Sequence, residues 1–146
     1  MVRSPREIAE LTRRIVEGGD GLVFADLFAE DGVMEYPFGI PGMPVALEGR
    51  AAIREWFSAR AEMRGLFDMK EVTSTVWETG DPEVVITEIV HRGHSRVLDG
   101  PYEMRALGII RVRNGEIVHY RDFMNPLSLA QLTGRIPDLV AALNAA

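Results

Sequence analysis

The chain has 146 residues, of which 47% are hydrophobic and 26% charged, and its formal net charge is −6. These values are typical of a soluble globular protein, and we expect residues 1–146 to form a single domain. The acidic balance argues against nucleic-acid and anionic-membrane partners, because binding to phosphates depends on Lys and Arg. No cysteine is present, which excludes disulfides, thiolate metal sites and cysteine nucleophiles.

Targeting signals and common cofactor motifs are also missing from the sequence. The N-terminal residues lack the apolar core of a signal peptide, and no stretch approaches the roughly 18 apolar residues of a membrane span. P-loop, dinucleotide-binding, zinc-protease and esterase motifs are absent. We therefore expect a cytoplasmic protein with no cofactor and no membrane partner.

The first predicted element is an amphipathic helix. Residues 4–7 (Ser-Pro-Arg-Glu) have the form of a capping box with Pro5 at the first helical position. Apolar residues then follow at helical spacing, and the helix should end at the Gly18-Gly19 pair.

A second short helix, a strand, a loop and a third helix should follow. Asp20 can cap the second helix, and Asp31-Gly32 should turn the chain into the strand, residues 33–38. Residues 37–49 contain three prolines and three glycines, which favour a loop. Apolar residues at helical spacing predict the third helix over residues 50–65.

The second half of the chain is predicted to form strands. Residues 67–78, 84–91, 102–112 and 117–124 are rich in β-branched and aromatic side chains. Asn114-Gly115 is a strong hairpin signal, so the last two strands should pair antiparallel. One or two short helices, divided by Gly134 and Pro137, should end the chain. Helices followed by an antiparallel sheet predict an α+β fold, not a parallel α/β fold.

Asp122 is the leading candidate for a catalytic residue, because aspartate is disfavoured inside a strand unless something specific holds it. With regular pairing from the Asn114-Gly115 turn, Leu107 lies opposite Asp122 and Arg105 opposite Met124. Asp122 would then share a face with Arg105. Burial would raise the pKa of Asp122 and the arginine would lower it, so a general base and a structural ion pair are equally compatible with the sequence.

Aromatic residues and methionines are candidates for the wall of a pocket, although such residues more often form plain core. These candidates are Tyr36, Phe38, Trp56, Phe57, Tyr102, Tyr120, Met34, Met43, Met104 and Met124. A metal site is not expected, because His91 and His94 should point to opposite faces of one strand.

Several segments resemble the phenazine-biosynthesis A/B proteins, of the SnoaL-like branch of the nuclear-transport-factor-2-like superfamily. The most specific segment is Asp-Phe-Met-Asn-Pro at residues 122–126, within residues 116–127. Gly-Pro-Tyr-Glu at residues 100–103 and Arg-Val-Arg-Asn-Gly at residues 111–115 add to it. Glu-Gly-Arg at residues 48–50 is a weaker sign of the superfamily, and the resemblance covers nearly the whole chain.

The resemblance implies a cone-shaped fold with a curved sheet, a deep apolar pocket and a homodimer joined through the sheets. Relatives include ketosteroid isomerase, polyketide cyclases, scytalone dehydratase and limonene-epoxide hydrolase, which work by acid–base chemistry without a cofactor. It also implies that Asp122 and Tyr102 face the ligand. A pocket histidine of the phenazine proteins is matched here by Trp56, so Trp56 should face the pocket. Regular alternation puts Tyr102 on the face opposite Asp122, and a β-bulge would bring the two together.

These observations predict a cofactor-independent acid–base enzyme, of isomerase, cyclase or dehydratase type, acting on a small, hydrophobic, cyclic or aromatic molecule. Asp122 would move the proton, while Arg105 or Tyr102 would stabilise the developing charge. The predicted ligand contacts are Trp56, Tyr102, Tyr120, Phe38 and Met124. The alternative is a non-catalytic binding or accessory protein with the same pocket, which the replacement of the pocket histidine by Trp56 favours.

A homodimer is also expected from the hairpin itself. The hairpin face taken to be outward carries Ala106, Gly108, Ile110, Ile117 and Phe123, and it would be too apolar to be left in water.

Overall fold

The computed structural model describes residues 2–145, which form helices packed on one face of a six-stranded curved sheet. The helices are α1 (Pro5–Glu17), α2 (Arg50–Ala59), α3 (Pro126–Leu132) and α4 (Ile136–Ala145). The strands are β1 (Phe28–Glu35), β2 (Ala46–Glu48), β3 (Phe67–Glu78), β4 (Val84–Ser95), β5 (Gly100–Arg113) and β6 (Glu116–Met124). Short 3₁₀ turns cover Phe24–Leu27 and Ala61–Leu66.

The strands run in the order β2-β1-β6-β5-β4-β3 across the sheet. β1 and β6 are parallel and every other neighbouring pair is antiparallel. This mixed sheet with helices on one side confirms the predicted α+β fold. No helix within residues 2–145 has the length and apolar character needed to cross a membrane.

The first helix forms as its sequence predicts. The Ser4 hydroxyl accepts a hydrogen bond from the Glu7 amide at 3.1 Å, and the Glu7 carboxylate accepts one from the Ser4 amide at 2.7 Å. Gly18 then ends the helix with a φ of +82°, a conformation that glycine adopts without strain. The buried residues Ile8 and Ala9 attach α1 to the core beneath it.

The segment between α1 and β1 differs from the prediction. Asp20 caps no α-helix, because its carboxylate pairs with Arg14 at 2.7 Å, and residues 24–27 form only a 3₁₀ turn. β1 begins at Phe28, well before the expected start of the strand at residue 33. The fully buried Phe28 ring anchors this end of the strand, and Gly32 lies inside it at an irregularity in the pairing with β6.

The second half of the chain follows the predicted pattern more closely. β3 spans the predicted residues 67–78, and β4 continues past the predicted end to Ser95. Before them, α2 ends at Ala59 and not at residue 65 as predicted, and a 3₁₀ turn follows it. Asn114 and Gly115 have φ angles of 52° and 78°, which confirms the tight hairpin between β5 and β6.

The predicted register of this hairpin is wrong by one residue. Pairing shifts next to Arg111, because β6 contains a β-bulge at Val118. Beyond the bulge, Asp122 pairs with Gly108 and not with Leu107. A shift of one residue exchanges the two faces of a strand, so the bulge turns Asp122 toward the helices.

The same shift corrects the face expected to form a dimer. The inner face of the hairpin carries Ala106, Gly108, Ile110 and Ile117, so these residues are covered by the protein's own core. Of the residues named for that face, Phe123 alone lies on the outer side. The outer face of the sheet instead carries Trp77, Ile86, Leu107, Ile109 and Phe123.

Candidate functional site

A cavity of about 330 Å³ lies between the inner face of the sheet, α1 and α2. Its volume is at the lower end of the range for ligand pockets, about 300–1,000 Å³. The lining is mostly apolar and includes Ile15, Val16, Phe24, Met34, Phe57, Phe67, Met69, Ile89, Met104 and Ala106. Thr12, Tyr120, Asp122, Arg64 and His91 add the polar groups. A small apolar molecule with a few polar atoms matches this composition.

Asp122 lies on the wall of this cavity without a partner among residues 2–145. Its carboxylate makes no ion pair or hydrogen bond there, and the residue is part of the cavity lining. Burial raises the pKa of Asp122 to about 7. The group is therefore divided between acid and carboxylate near neutral pH, which is the condition for exchanging protons with a ligand.

Two tyrosines lie close to Asp122. Burial, followed by the nearby charge of Asp122, raises the pKa values of both Tyr120 and Tyr36, so both keep their hydroxyl protons. The Tyr120 ring passes over Gly108, where an added Cβ atom would lie 2.7 Å from the phenol oxygen. The Phe24 ring packs against the Tyr120 ring in a T-shaped arrangement, with ring centres 5.5 Å apart. Tyr120 is thus a fixed hydrogen-bond donor beside Asp122.

A second set of polar side chains lies around His91 on β4. Its Nδ1 atom lies 2.9 Å from the Tyr102 hydroxyl, and the two rings pack with Phe67. Burial, then the positive charge of Arg64, lowers the pKa of His91, so its imidazole is neutral at neutral pH. Arg64 lies at the rim and bonds to the backbone carbonyls of the last turn of α1.

Of the predicted site residues, Asp122 and Tyr120 line the cavity. The bulge in β6 puts Tyr102 on the face that carries Asp122, so the conflict between alternation and resemblance is resolved. Tyr102 is not part of the cavity lining itself, but its hydroxyl contacts His91, which is. Met124 is buried on the same face as part of the core.

Arg105 does not accompany Asp122, and this prediction is wrong. Its guanidinium lies on the outer face, where Nη1 is 3.0 Å from Glu88 and Nη2 is 3.6 Å from Glu103. The β-bulge is the cause, because it turns Asp122 inward while Arg105 stays on the outer side. No cation in residues 2–145 therefore pairs with Asp122, and its pKa rises.

Trp56 and Phe38 also lie away from the cavity lining. The Trp56 ring packs against Tyr36, with ring centres 6.3 Å apart, and the guanidinium of Arg60 covers it at 3.1 Å. One residue further around α2, Phe57 takes the place on the cavity wall that was expected for Trp56. Phe38 is 60% exposed and contacts Phe123, with ring centres 5.2 Å apart.

Three polar lining residues were not predicted to act at the site: Arg64, His91 and Thr12. His91 could have been found from the alternation of β4, because Val85, Thr87 and Ile89 predict the same inward face for it. Arg64 carries no such signal, since its position depends on how a 3₁₀ turn meets α1. Among residues 2–145, no group of three or more His, Asp or Glu side chains converges as a metal site would require.

Comparison with known proteins places this fold and cavity in a family. The family model for the SnoaL-like domain matches residues 9–120. The chain belongs to the SnoaL-like family. An uncharacterized PhzA/B-like protein of Pseudomonas aeruginosa is 34% identical to it over 134 residues, covering 90% of this chain and 91% of the relative.

Two solved structures show how widely this SnoaL-like fold is shared. A phenazine biosynthesis-related protein from Pseudomonas aeruginosa is 23% identical, with a TM-score of 0.58 and coverage of 92% of this chain and 88% of that one. A protein with a ketosteroid isomerase-like fold from Catenulispora acidiphila, in complex with trimethylamine, is 22% identical with a TM-score of 0.63. The match covers 93% of this chain and 98% of that one, and at these identities it establishes the fold alone.

Proposed function

We propose that this SnoaL-like protein is a cofactor-independent acid–base enzyme of isomerase, cyclase or dehydratase type, with Asp122 as its proton-transfer group. The observation that carries the proposal is an unpaired carboxylate, with a pKa near 7, on the wall of an apolar cavity. Its substrate is a small cyclic or aromatic molecule, because the walls offer aromatic and aliphatic side chains and few polar groups.

The chemistry follows from two neighbouring groups on the cavity wall, Asp122 and Tyr120. Ionised Asp122 removes a proton from a carbon next to a carbonyl, and the electron pair moves onto the carbonyl oxygen. The Tyr120 hydroxyl donates a hydrogen bond to that oxygen and stabilises its negative charge. Return of the proton from Asp122 to another carbon gives an isomer, and its transfer to a departing β-hydroxyl group gives water and a dehydrated product. Attack of the enolate carbon on a second carbonyl of the same molecule closes a ring, and the new alkoxide takes the proton back from Asp122.

A carbon-acid probe tests this proposal without knowledge of the natural substrate. Asp122 should remove the ring C–H proton of 5-nitrobenzisoxazole, whereupon the N–O bond breaks and a coloured cyanonitrophenolate forms. The rate should rise as the pH passes through about 7, where Asp122 ionises. Asp122→Asn should abolish the acceleration, because an amide cannot accept the proton.

Asp31→Asn is the matched control, since Asp31 is exposed on β1. It should leave the rate unchanged. Equal rates for wild type and Asp122→Asn would refute the role of Asp122 as base.

A non-catalytic binding protein with the same cavity is the second candidate. The position of Trp56 favours it, because Trp56 packs on Tyr36 and gives the cavity no acid–base group at the place where the phenazine proteins are expected to carry a histidine. Tight binding of planar ligands, with no turnover of the probe at any pH, would favour this candidate over the enzyme.

The assembly proposed for this protein is a homodimer joined through the outer face of the sheet. Trp77, on that face, is 45% exposed, and Ile86, Leu107 and Ile109 lie beside it across β4 and β5. A second copy of the chain would cover these side chains and leave the cavity, on the other face, open to its ligand.

A further inference from the structure

The cavity has a second polar end, which the proposed proton transfer does not use. His91 pairs with Met104 on β5, whereas Asp122 pairs with Gly108. Met104 and Gly108 are four residues apart, which is roughly 13 Å along a strand. A ligand that fills the cavity therefore meets Asp122 with one part and the Arg64–His91 pair with another.

Arg64 is held in place at this end. Its Nη1 lies 3.5 Å from the carbonyl oxygen of Ile15, and its Nη2 bonds to the carbonyl of Val16. Both carbonyls belong to the last turn of α1, which carries partial negative charge and lacks helical donors. A guanidinium has five N–H donors, so these bonds fix the cation and still leave donors for a ligand.

His91 presents a donor at the same end. The Tyr102 hydroxyl keeps its proton, because burial raises the Tyr102 pKa, and the His91 imidazole is neutral. The Tyr102 hydroxyl and Nδ1 of His91 are 2.9 Å apart, and the subsite proposed below uses the tautomer in which the hydroxyl donates to Nδ1. In this tautomer the ring proton is on Nε2, which has no partner among residues 2–145.

We propose that Arg64 and His91 form a carboxylate subsite, so that the ligand is an apolar cyclic or aromatic acid. The acid group lies on the guanidinium and the Nε2–H, and the ring body lies between the apolar walls and reaches toward Asp122. A fixed guanidinium with a neighbouring N–H donor suits the two oxygens of a carboxylate. The inference rests on the function proposed above for the role of Asp122, but the binding preference itself does not require turnover.

Two probes with the same ring system test the subsite. Calorimetry should show that 2-naphthoate binds wild-type protein at least about tenfold more tightly than neutral 2-naphthamide, as expected for a charge-assisted hydrogen bond. Arg64→Gln should remove this preference and leave the affinity for 2-naphthamide unchanged. Arg60→Gln is the matched control, because Arg60 stacks on Trp56 outside the cavity lining, and it should keep the preference.

Two further variants separate charge from folding. Arg64→Lys keeps a cation at the rim and should retain part of the preference, even if the loss of guanidinium contacts weakens the end of α1. His91→Phe should lower the affinity for 2-naphthoate, because it removes the Nε2–H donor and keeps Arg64. In each variant, unchanged binding of 2-naphthamide reports an intact cavity.

The proposal is overturned by equal affinities of wild type for the two probes, by a preference that survives Arg64→Gln, or by binding of neither probe. Its failure is distinguishable from failure of the proposed function. Turnover of 5-nitrobenzisoxazole that depends on Asp122, without a preference for 2-naphthoate, would reject only the subsite. The preference without such turnover would keep the subsite and reject the enzyme.

Discussion

The properties of Asp122 follow from its surroundings on the inner face of the sheet. It faces an apolar cavity, and the arginine expected beside it, Arg105, binds Glu88 on the outer face. Burial therefore acts on the carboxylate without an opposing cation, and the pKa rises to about 7. A carboxylate with this pKa is present in both protonation states at neutral pH, which suits proton transfer.

The raised pKa also makes the stability of the fold depend on pH. Well below pH 3.8, Asp122 is neutral in both the folded and the unfolded chain. As the pH rises toward 7, the unfolded chain releases this proton at its ordinary pKa of 3.8 while the folded protein retains it, so stability falls. Asp122→Asn should remove this loss and, at pH 8, raise the free energy of unfolding by at most about 4 kcal/mol.

Urea unfolding of both proteins across this pH range measures the effect. The two free energies should converge at acid pH and separate toward pH 8, with Asp31→Asn following the wild-type curve. Parallel curves for wild type and Asp122→Asn would mean that Asp122 titrates normally in the folded protein.

At the scale of elements, the site depends on how closely β5 and β6 approach. Gly108, in the middle of β5, leaves room for the Tyr120 ring to lie flat over the strand next to Asp122. The β-bulge at Val118 is what brings Tyr120 and Asp122 to this face. Strand pairing and the absence of a side chain at Gly108 thus bring Tyr120 and Asp122 together.

Gly108→Ala should therefore impair turnover more than folding. The new methyl group would lie 2.7 Å from the Tyr120 oxygen and displace the ring, and a misplaced catalytic group costs about tenfold to a hundredfold in rate. The rate of 5-nitrobenzisoxazole cleavage measures the loss. Gly100→Ala, also on β5, is the control, because its methyl group would meet only the Leu98 carbonyl, at 3.9 Å.

A double variant checks the cause of this loss. If Gly108→Ala acts by moving Tyr120, it should have little further effect in a Tyr120→Phe background. An undiminished loss in that background would show that Gly108 matters for another reason.

At the scale of the whole molecule, the two faces of the sheet carry different side chains. The inner face and the helices enclose the cavity. The outer face carries a row of apolar side chains that includes Ile109, which pairs laterally with Arg121 and Ile86. An apolar sheet face of this kind favours association with a second copy of the chain.

Light scattering should accordingly find a homodimer at micromolar concentration. Ile109→Glu should give a folded monomer, because the new carboxylate would be buried at the interface in the dimer but can pair with Arg121 in the monomer. Val97→Glu, in the exposed turn between β4 and β5, should leave the dimer intact. A monomeric wild-type protein would refute the association.

The sequence by itself determined the elements whose signals are local. The capping box of residues 4–7, the glycine that ends α1 and the Asn114-Gly115 hairpin each fix a backbone conformation through neighbouring residues. β3 to β6 were found for the same reason, because alternation and β-branched residues act over a few positions. The short β2 (Ala46–Glu48) lies within the predicted loop 37–49 and was missed, because its three residues pair with β1 across the fold. The resemblance around residues 122–126 identified the family, and Asp122 stood out as a carboxylate within a strand.

Only the tertiary structure decided which side chains meet. The bulge at Val118 has no marker in the sequence, since one extra residue in a strand changes no local preference, yet it places Asp122 and Arg105 on opposite faces of the sheet. Arg64 and His91 reach one cavity from segments distant in the chain, through the packing of a 3₁₀ turn and α1 against the sheet. Local patterns specify backbone conformation, whereas convergence on a site depends on register and packing over the whole fold.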